Sequence, residues 1–160
     1  KNFPKSLVFR KKNYYLDSIK KNYLKFKKNK KIKKKNSFEI LFLLEPLKAD
    51  LDSQKKISNK IVEYLRSYKK KIILNFRLHP SEKNNFIMEN IRQKLLNNKD
   101  IIIHTDKNNN IVKSLYTSDI VIGGETYGMV ISLKLKKKVY TFLPFKNYTF
   151  NLPFKGIKKF

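Results

Sequence analysis

The strongest constraint in this sequence is a regular alternation, beginning at Ser37, of short apolar segments with stretches of helical periodicity. The apolar segments are often β-branched, as is typical of strands covered on both faces. There are five of them: Phe38–Leu44, Ile72–Phe76, Ile101–Ile103, Ile120–Ile122 and Val139–Phe142. Because helical stretches separate them, the sequence predicts an α/β fold, a Rossmann-like layer sandwich around a mostly parallel sheet of about five strands.

Each helical stretch carries apolar residues on one face. These residues are Ile57, Ile61 and Leu65 in the first stretch, Ile87, Ile91 and Leu95 in the second, Ile111, Val112 and Leu115 in the third, and Met129, Val130 and Leu133 in the fourth. Asp52 or Ser53 is the predicted N-cap of the first helix, and Ser81 is the predicted N-cap of the second.

The chain of 160 residues divides into three regions. Residues 1–36 are predicted to be a basic helical arm and a linker from a missing preceding domain, with the run Lys25–Lys35 as a solvated hinge. Residues 37–143 form the predicted Rossmann-like domain, and residues 144–160 a predicted irregular C-terminal tail. Because the chain begins with Lys and not Met, we expect a fragment of a longer polypeptide.

Composition excludes several classes of site. With no cysteine and only two histidines, the chain can form neither a disulfide framework nor a thiol nucleophile, and a multi-histidine metal site is not expected. The longest apolar run, Ile40–Leu44, is far below the roughly 20 residues that span a bilayer. We therefore expect a cytoplasmic protein.

The formal net charge of +26 is carried almost entirely by lysine, with arginine only at positions 10, 66, 77 and 92. Abundant Lys, Asn, Ile, Phe and Tyr share A/T-rich codons, so genome composition can explain much of this excess, and a functional role of the charge stays open. Nucleic-acid recognition more often uses arginine, whose planar fork binds phosphate and guanine bidentately. Nucleic acid is therefore not the favoured partner.

In an open parallel sheet, ligands bind beyond the carboxyl ends of the strands. The second strand is followed there by Arg77 and His79-Pro80-Ser81. Pro80 favours the opening of a helix, which would place the imidazole of His79 over a helix N-terminus. Since histidine titrates near neutral pH, His79 could hold or protonate a phosphate oxygen beside Arg77. The alternative is an exposed turn histidine without a ligand.

Gly123-Gly124-Glu125-Thr126 joins the fourth strand to the fourth predicted helix. Glycines let the backbone approach a ligand, and the helix start favours a phosphate. Glu125 would suit the paired hydroxyls of a ribose, so the combination points to a nucleotide. The alternative is a tight turn in which Glu125 only favours the helix dipole.

His104 and Thr105 end the third strand and could bracket a base, although a histidine satisfied by a neighbouring carbonyl fits equally well. Asp106, Asp50 and Asp119 are interpreted as acids without a chemical role.

From the His-Pro-Ser turn to Ser118-Asp119-Ile120-Val121-Ile122-Gly123-Gly124-Glu125-Thr126 and the following Lys-Lys-Val-Tyr strand, the sequence resembles the C-terminal, nucleotide-binding half of GT-B glycosyltransferases. The resemblance covers roughly residues 37–145 and is nearest to bacterial surface-polysaccharide enzymes, including sialyltransferases. UDP-N-acetylglucosamine 2-epimerases are similar in architecture. In the sialyltransferases the His-Pro pair lies near the donor phosphate, which implies that role for His79 and Pro80.

The resemblance implies the donor-binding domain of a glycosyltransferase that makes surface polysaccharide or lipooligosaccharide, with His79 as the catalytic candidate and a CMP- or UDP-linked sugar as substrate. Glu125-Thr126 stands where sialyltransferases commonly have Ser/Thr pairs, which leaves UDP or another nucleotide open. No cofactor and no metal is implied. The glycan or glycolipid acceptor would bind a missing N-terminal domain, so we expect this chain alone to be inactive.

Three alternatives stay open at this point. A sugar-nucleotide epimerase-like domain has the same architecture. A basic α/β module could hold nucleic acid through Lys25–Lys35 and exposed Tyr14, Tyr15 and Tyr23. The basic arm could also attach the protein peripherally to the anionic inner face of a membrane, which is compatible with a role on lipid-linked acceptors.

Overall fold

The computed structural model describes residues 13–29, 36–46, 49–82, 85–108, 110–143 and 156–159. In this part of the chain, a first helix is followed by strands and helices that alternate as far as the fifth strand. The helices are α1 (Tyr14–Asn29), α2 (Leu51–Ser67), α3 (Phe86–Leu95), α4 (Ile111–Thr117) and α5 (Tyr127–Lys134). The strands are β1 (Phe38–Leu43), β2 (Ile72–Arg77), β3 (Ile101–Thr105), β4 (Ile120–Gly123), β5 (Lys138–Thr141) and β6 (Ile157–Lys159).

The strands form one sheet in the order β3-β2-β1-β4-β5-β6, and each neighbouring pair is parallel. This confirms the predicted α/β, Rossmann-like class. The order runs outward from β1 to β3 and then returns to β4 on the other side of β1, so a topological switch point lies between β1 and β4. Ligands of such sheets bind beside the switch point, at the carboxyl ends of the strands.

Two apolar layers sandwich the sheet. Helices α2 and α3 cover one face, where Ile61 and Ile91 pack against Phe42 and Leu74. Helices α1, α4 and α5 cover the other, where Leu115 and Met129 pack with Leu41 and Val121. Strands β1 and β4 are buried on both faces, which explains their continuous apolar sequences.

The sheet has six strands where about five were expected. The additional strand lies within the predicted irregular tail, so that part of the prediction is wrong. Within that tail, Ile157–Lys159 forms β6 and pairs in parallel with β5. The strand is short and mostly lysine, so it lacks the apolar signal of a covered strand. An edge strand needs backbone hydrogen bonds more than apolar side chains, which is why its sequence does not reveal it. Residues 144–155 and 160 lie outside the described residues.

Helix α1 confirms the helical character expected within residues 1–36, but it is not a free arm. Ile19 is buried in the layer shared with α4 and α5, and the rings of Tyr23 and Phe26 lie about 6 Å from that of Tyr116. The apolar face of α1 has a matching apolar surface to bury, and this packing holds it against the domain. The predicted hinge is also helical as far as Asn29, whereas positions 30–35 lie outside the described residues.

Among the described residues, no helix combines the length and the apolar character that crossing a bilayer requires.

Candidate functional site

The turns after β1 and β4 are joined by one hydrogen bond at the switch point. The Glu45 carboxylate, just beyond β1, accepts the backbone N–H of Glu125 with Oε1 at 2.5 Å. A Cβ on Gly124 would lie only 1.6 Å from that Oε1. The turn after β4 therefore requires glycine at position 124, because the carboxylate of Glu45 occupies the space beside it.

Glu45 lies within electrostatic reach of both the His79 turn and the Gly124 turn. Burial raises the pKa of the Glu45 carboxyl above its usual range, and the nearby charges of Glu125 and Glu82 act in the same direction. The hydrogen bond from the Glu125 amide and the electrostatic effect of His79 lower it in part. The turns after β1, β2 and β4 thus lie within electrostatic reach of one another.

The segment His79–Glu82 is a β-turn and not the start of a helix. The Glu82 amide donates to the His79 carbonyl at 2.9 Å, with Pro80 in the second position of the turn that proline favours. Helix α3 begins later, at Phe86, and its N-cap is Asn85, which accepts from the amides of Ile87 and Met88. The expectations that Ser81 caps this helix and that His79 stands over its N-terminus are therefore wrong.

Ser81 instead orients the ring of His79. Its backbone N–H lies 3.2 Å from Nδ1, and its Oγ lies 2.7 Å from the same atom. Since a backbone N–H can only donate, Nδ1 is the acceptor, and the neutral ring carries its proton on Nε2. His79 is exposed. It therefore offers an N–H donor at the rim of the sheet.

Arg77 has a structural partner that the sequence did not indicate. Its Nη1 donates to Oδ2 of Asp106 at 2.8 Å and to the carbonyl of Asn108 at 2.7 Å. Burial alone would raise the pKa of Asp106, but hydrogen bonds from Ser114, Asn108 and Arg77 outweigh it and lower that pKa below its usual range. Arg77 thus ties the end of β2 to the β3–α4 turn, and its binding role stays a prediction.

Thr105 and His104 do not join the centre around Glu45. The Thr105 hydroxyl accepts from Nη2 of Arg92 at 2.6 Å, so it faces α3. His104 is exposed and lines a separate cavity of about 280 Å³ beside Asn75. Both residues belong to β3, the outermost strand on this side of the switch point. The structure therefore does not bring Thr105 to the centre around Glu45.

The remaining predicted residues surround the start of α5. Gly123 is the buried last residue of β4, and the Gly124 carbonyl accepts from the Thr141 hydroxyl at 2.9 Å. Thr126 is the N-cap of α5, but its side chain makes no capping hydrogen bond. Its Oγ1 is buried without a partner among the described residues. The positive end of α5 is therefore not neutralised by its own N-cap side chain.

A groove of about 530 Å³ opens beside this helix start, lined among others by Arg77, Asn110, Tyr127, Gly128 and Tyr15 of α1. A Cβ on Gly128 would lie 2.8 Å from Cδ1 of Leu43, so glycine lets α5 pack closely on β1. The groove therefore reaches both the start of α5 and the end of β2.

Together these groups suit a ligand with neutral hydroxyls and an anionic part. Carboxylates at the rim can accept hydroxyl protons, whereas the start of α5 and Nε2–H of His79 favour an anion. Among the described residues, no cluster of three or more His, Asp or Glu is suited to a metal.

Neither Glu45 nor Asp106 is among the binding residues predicted from the sequence. The one usable signal was position: Glu45 is the first charged residue after the strand at the switch point. Nothing in the sequence pairs Asp106 with Arg77.

No family model matches the chain, and no curated protein matches it. Solved structures do match. The UDP-GlcNAc 2-epimerase of Methanocaldococcus jannaschii, in complex with UDP-GlcNAc and UDP, superimposes with a TM-score of 0.62 at 20% identity, over 89% of this chain and 41% of that chain. MnaA of S. aureus, solved with UDP, gives a TM-score of 0.52 at 13% identity, over 88% of this chain and 33% of that one. The chain spans less than half of each, and it shares with them the Rossmann-like fold.

Proposed function

We propose that this chain is a domain that binds a nucleoside-diphosphate sugar of the UDP-linked class at the switch point between β1 and β4. The observation that carries the proposal is the hydrogen bond by which Glu45 joins the turns after β1 and β4, beside a helix start that its N-cap side chain leaves uncapped. The end of β2, which leads into the His79 turn, is tied to the end of β1 by the bond from the Leu44 amide to the Arg77 carbonyl at 2.9 Å. Two solved structures with the same fold were determined with UDP, which supports this ligand class.

In this proposal the hydroxyls and the diphosphate bind different groups. The carboxylate of Glu125 accepts from ribose hydroxyls, which are neutral donors suited to a carboxylate. The diphosphate lies at the start of α5, where Nε2–H of His79 donates to a phosphate oxygen. Glu45 holds the β4–α5 turn in the conformation that presents these groups.

For the reaction, we propose a sugar-nucleotide epimerase as the first candidate, because the matching solved structures include a UDP-GlcNAc 2-epimerase. A glycosyltransferase donor domain is the second candidate, supported by the resemblance of His79-Pro80 to the His-Pro pair of the sialyltransferases. In a glycosyltransferase reaction, His79 would stabilise the leaving nucleotide, and a glycan or glycolipid acceptor would bind another domain.

Titration calorimetry with UDP, CMP and 2′,3′-dideoxy-UDP tests the ligand class. We expect UDP to bind more tightly than CMP, and about tenfold more tightly than the dideoxy analogue, because the carboxylate would lose its hydroxyl partners. Equal affinity for all three compounds, or no heat with any of them, would overturn the proposal.

Two variants test the residue roles. Glu125→Ala should abolish the preference for UDP over its dideoxy analogue, whereas Glu63→Ala, on the exposed side of α2, should leave it intact. His79→Ala should weaken UDP binding about tenfold and uridine binding little, since a charge-assisted hydrogen bond to phosphate is lost. His104→Ala is the matched control on β3.

Proton NMR of the full-length protein with UDP-GlcNAc separates the two reactions. An epimerase inverts C2 of the sugar without an acceptor, whereas a glycosyltransferase releases UDP only when a suitable acceptor is present.

A further inference from the structure

Lysines and acids are distributed unevenly between the two ends of the sheet. The turns that lead from a helix into a strand lie at the end opposite the candidate site. Their charged residues are Lys69, Lys70, Lys71, Lys99, Lys136 and Lys137 against Asp100 and Asp119. The turns that lead from a strand into a helix hold Glu45, Asp50, Glu82, Asp106 and Glu125 against Lys48, Lys83 and Lys107.

A bias in codon usage cannot produce this contrast, because it would enrich lysine at both ends of the same sheet. The end of the sheet away from the candidate site is basic, and the rim that holds the site is acidic. The separation of positive and negative charge between the two ends of the sheet is therefore a property of the fold and not of the average composition.

The basic end contains a groove of about 590 Å³ between α1 and the α5–β5 turn. Its lining includes six lysines: Lys20, Lys27, Lys134, Lys136, Lys137 and Lys138. Lys137 is engaged internally, since its Nζ donates to the Ser118 carbonyl at 2.5 Å and lies 5.7 Å from the centre of the Tyr23 ring. The other five side chains are on exposed residues.

The one acid among the residues that line this groove offsets only part of the charge of the five exposed lysines. Oδ2 of Asp119 accepts the backbone N–H of Glu39 at 2.7 Å, which fixes that carboxylate at the start of β1. The five outward lysines thus form a concentrated positive surface.

Exposed leucines accompany the lysines. Leu24 lines the same groove and is 47% exposed, and Leu96, in the turn that contains Lys99, is 81% exposed. Helix α1 ends and β1 begins at this end of the sheet, and the sequence between them contains five more lysines, Lys30, Lys31, Lys33, Lys34 and Lys35. Lysines around protruding apolar side chains are typical of surfaces that bind anionic lipid headgroups.

We propose that the basic end of the sheet, centred on the groove between α1 and the α5–β5 turn, binds the surface of an anionic membrane. Lysine contributes point charges that suit a field of headgroup phosphates, and the helix-to-strand turns contain no arginine for bidentate contact with bases. The exposed Tyr15 stacks on Tyr127 at the other end of α1, so it offers no base-stacking platform at this surface. The candidate site, at the opposite rim, stays open.

Co-sedimentation of this chain with phosphatidylcholine vesicles, with and without phosphatidylglycerol, tests the proposal. We expect binding only when phosphatidylglycerol is present, and release at high salt. The triple variant Lys134→Gln, Lys136→Gln and Lys138→Gln should weaken binding about 100-fold, at roughly fivefold for each lysine near the surface. The midpoint of thermal unfolding of this variant and its affinity for UDP should match those of the wild type.

The matched control removes the same charge elsewhere. Lys55→Gln, Lys56→Gln and Lys107→Gln lie near the acidic rim and should weaken vesicle binding no more than about threefold. Equal losses in the two triple variants would show a response to net charge alone and would overturn the proposal.

Leu24→Ser separates a membrane from nucleic acid. Loss of an inserted leucine should weaken vesicle binding about tenfold. It should leave adventitious binding to a single-stranded oligonucleotide unchanged. Oligonucleotide binding that is tighter than vesicle binding at the same salt, and that the basic-end triple variant abolishes, would assign the surface to nucleic acid instead.

Discussion

Two carboxylates at the rim of the sheet, Glu45 and Asp106, have opposite environments. The side chain of Asp106 is 3% exposed and receives hydrogen bonds from Arg77, Asn108 and Ser114, so its pKa is lowered. Among the described residues, Glu45 accepts a hydrogen bond only from the amide of Glu125, and it lies near the acids Glu82 and Glu125. Burial, together with these two charges, raises its pKa. Asp106 is anchored by many donors, whereas Glu45 is held at the switch point at an electrostatic cost.

The two environments indicate different roles for two carboxylates at the same rim of the sheet. A buried carboxylate surrounded by donors stabilises the fold. A carboxylate held beside other acids costs stability, and such costs are common where a ligand binds. We therefore expect substitutions at Asp106 to act mainly on folding, and substitutions around Glu45 to act mainly on the switch-point turn and its ligand.

The largest effect should come from Asp106→Asn. The substitution leaves Arg77 without its anionic partner in a largely buried network, and should lower the free energy of unfolding by about 3 kcal/mol. Urea denaturation at neutral pH measures this, with the exposed Asp100→Asn as control, which should change stability by less than about 0.5 kcal/mol. Because the lowered pKa of Asp106 contributes stability above the usual aspartate pKa, the deficit should shrink as the pH falls through the pKa of the folded state. A loss in the free energy of unfolding no larger than that of Asp100→Asn would show that Asp106 does not anchor this part of the fold.

Gly124→Ala should have the next largest effect. The added Cβ would displace the Glu45 carboxylate from the Glu125 amide, and should lower the free energy of unfolding by about 1–3 kcal/mol. In a double-mutant cycle with Glu45→Ala, the second substitution removes the clash, so the double variant should be more stable than the sum of the two single losses predicts. Strict additivity would show that Glu45 and Gly124 do not compete for space.

Glu45→Gln should have the smallest effect and is the sharpest test of the comparison. Glutamine keeps an acceptor for the Glu125 amide but removes the buried charge. A raised pKa contributes stability that is fully present below the usual glutamate pKa and is lost as the pH rises through the pKa of the folded state. Relative to the glutamine variant, the wild type should therefore lose stability as the pH rises from below the usual glutamate pKa towards neutral. A difference that does not change with pH would contradict the assigned environment of Glu45.

The strands were predictable because burial on two faces leaves a continuous apolar signal. The predicted segments at Phe38, Ile72, Ile101, Ile120 and Val139 all correspond to observed strands, with ends that agree within two residues. Strand β6 was missed because an edge position needs no such signal. Helix positions followed from their apolar spacing in the same way.

The helix starts were less predictable. Asp50 caps α2 by accepting the Ser53 amide, where Asp52 or Ser53 was expected, and Asn85 caps α3 in place of Ser81. Several polar residues that favour capping stand within a few positions of each helix, and tertiary packing selects among them. The shift at α3 changes the interpretation of His79, which belongs to a β-turn.

The sequence by itself determined the α/β class, the strand positions and the turns to inspect, because these follow from local periodicity and from the direction of parallel strands. Only the tertiary structure decided that Arg77 pairs with Asp106, that Glu45 reaches across to the Glu125 amide, and that α1 packs on the sheet. These contacts join residues 29 and 80 positions apart, or segments on different strands and helices, and no local pattern encodes them. They arise where the fold brings separate segments close enough for charge, shape and hydrogen bonding to act.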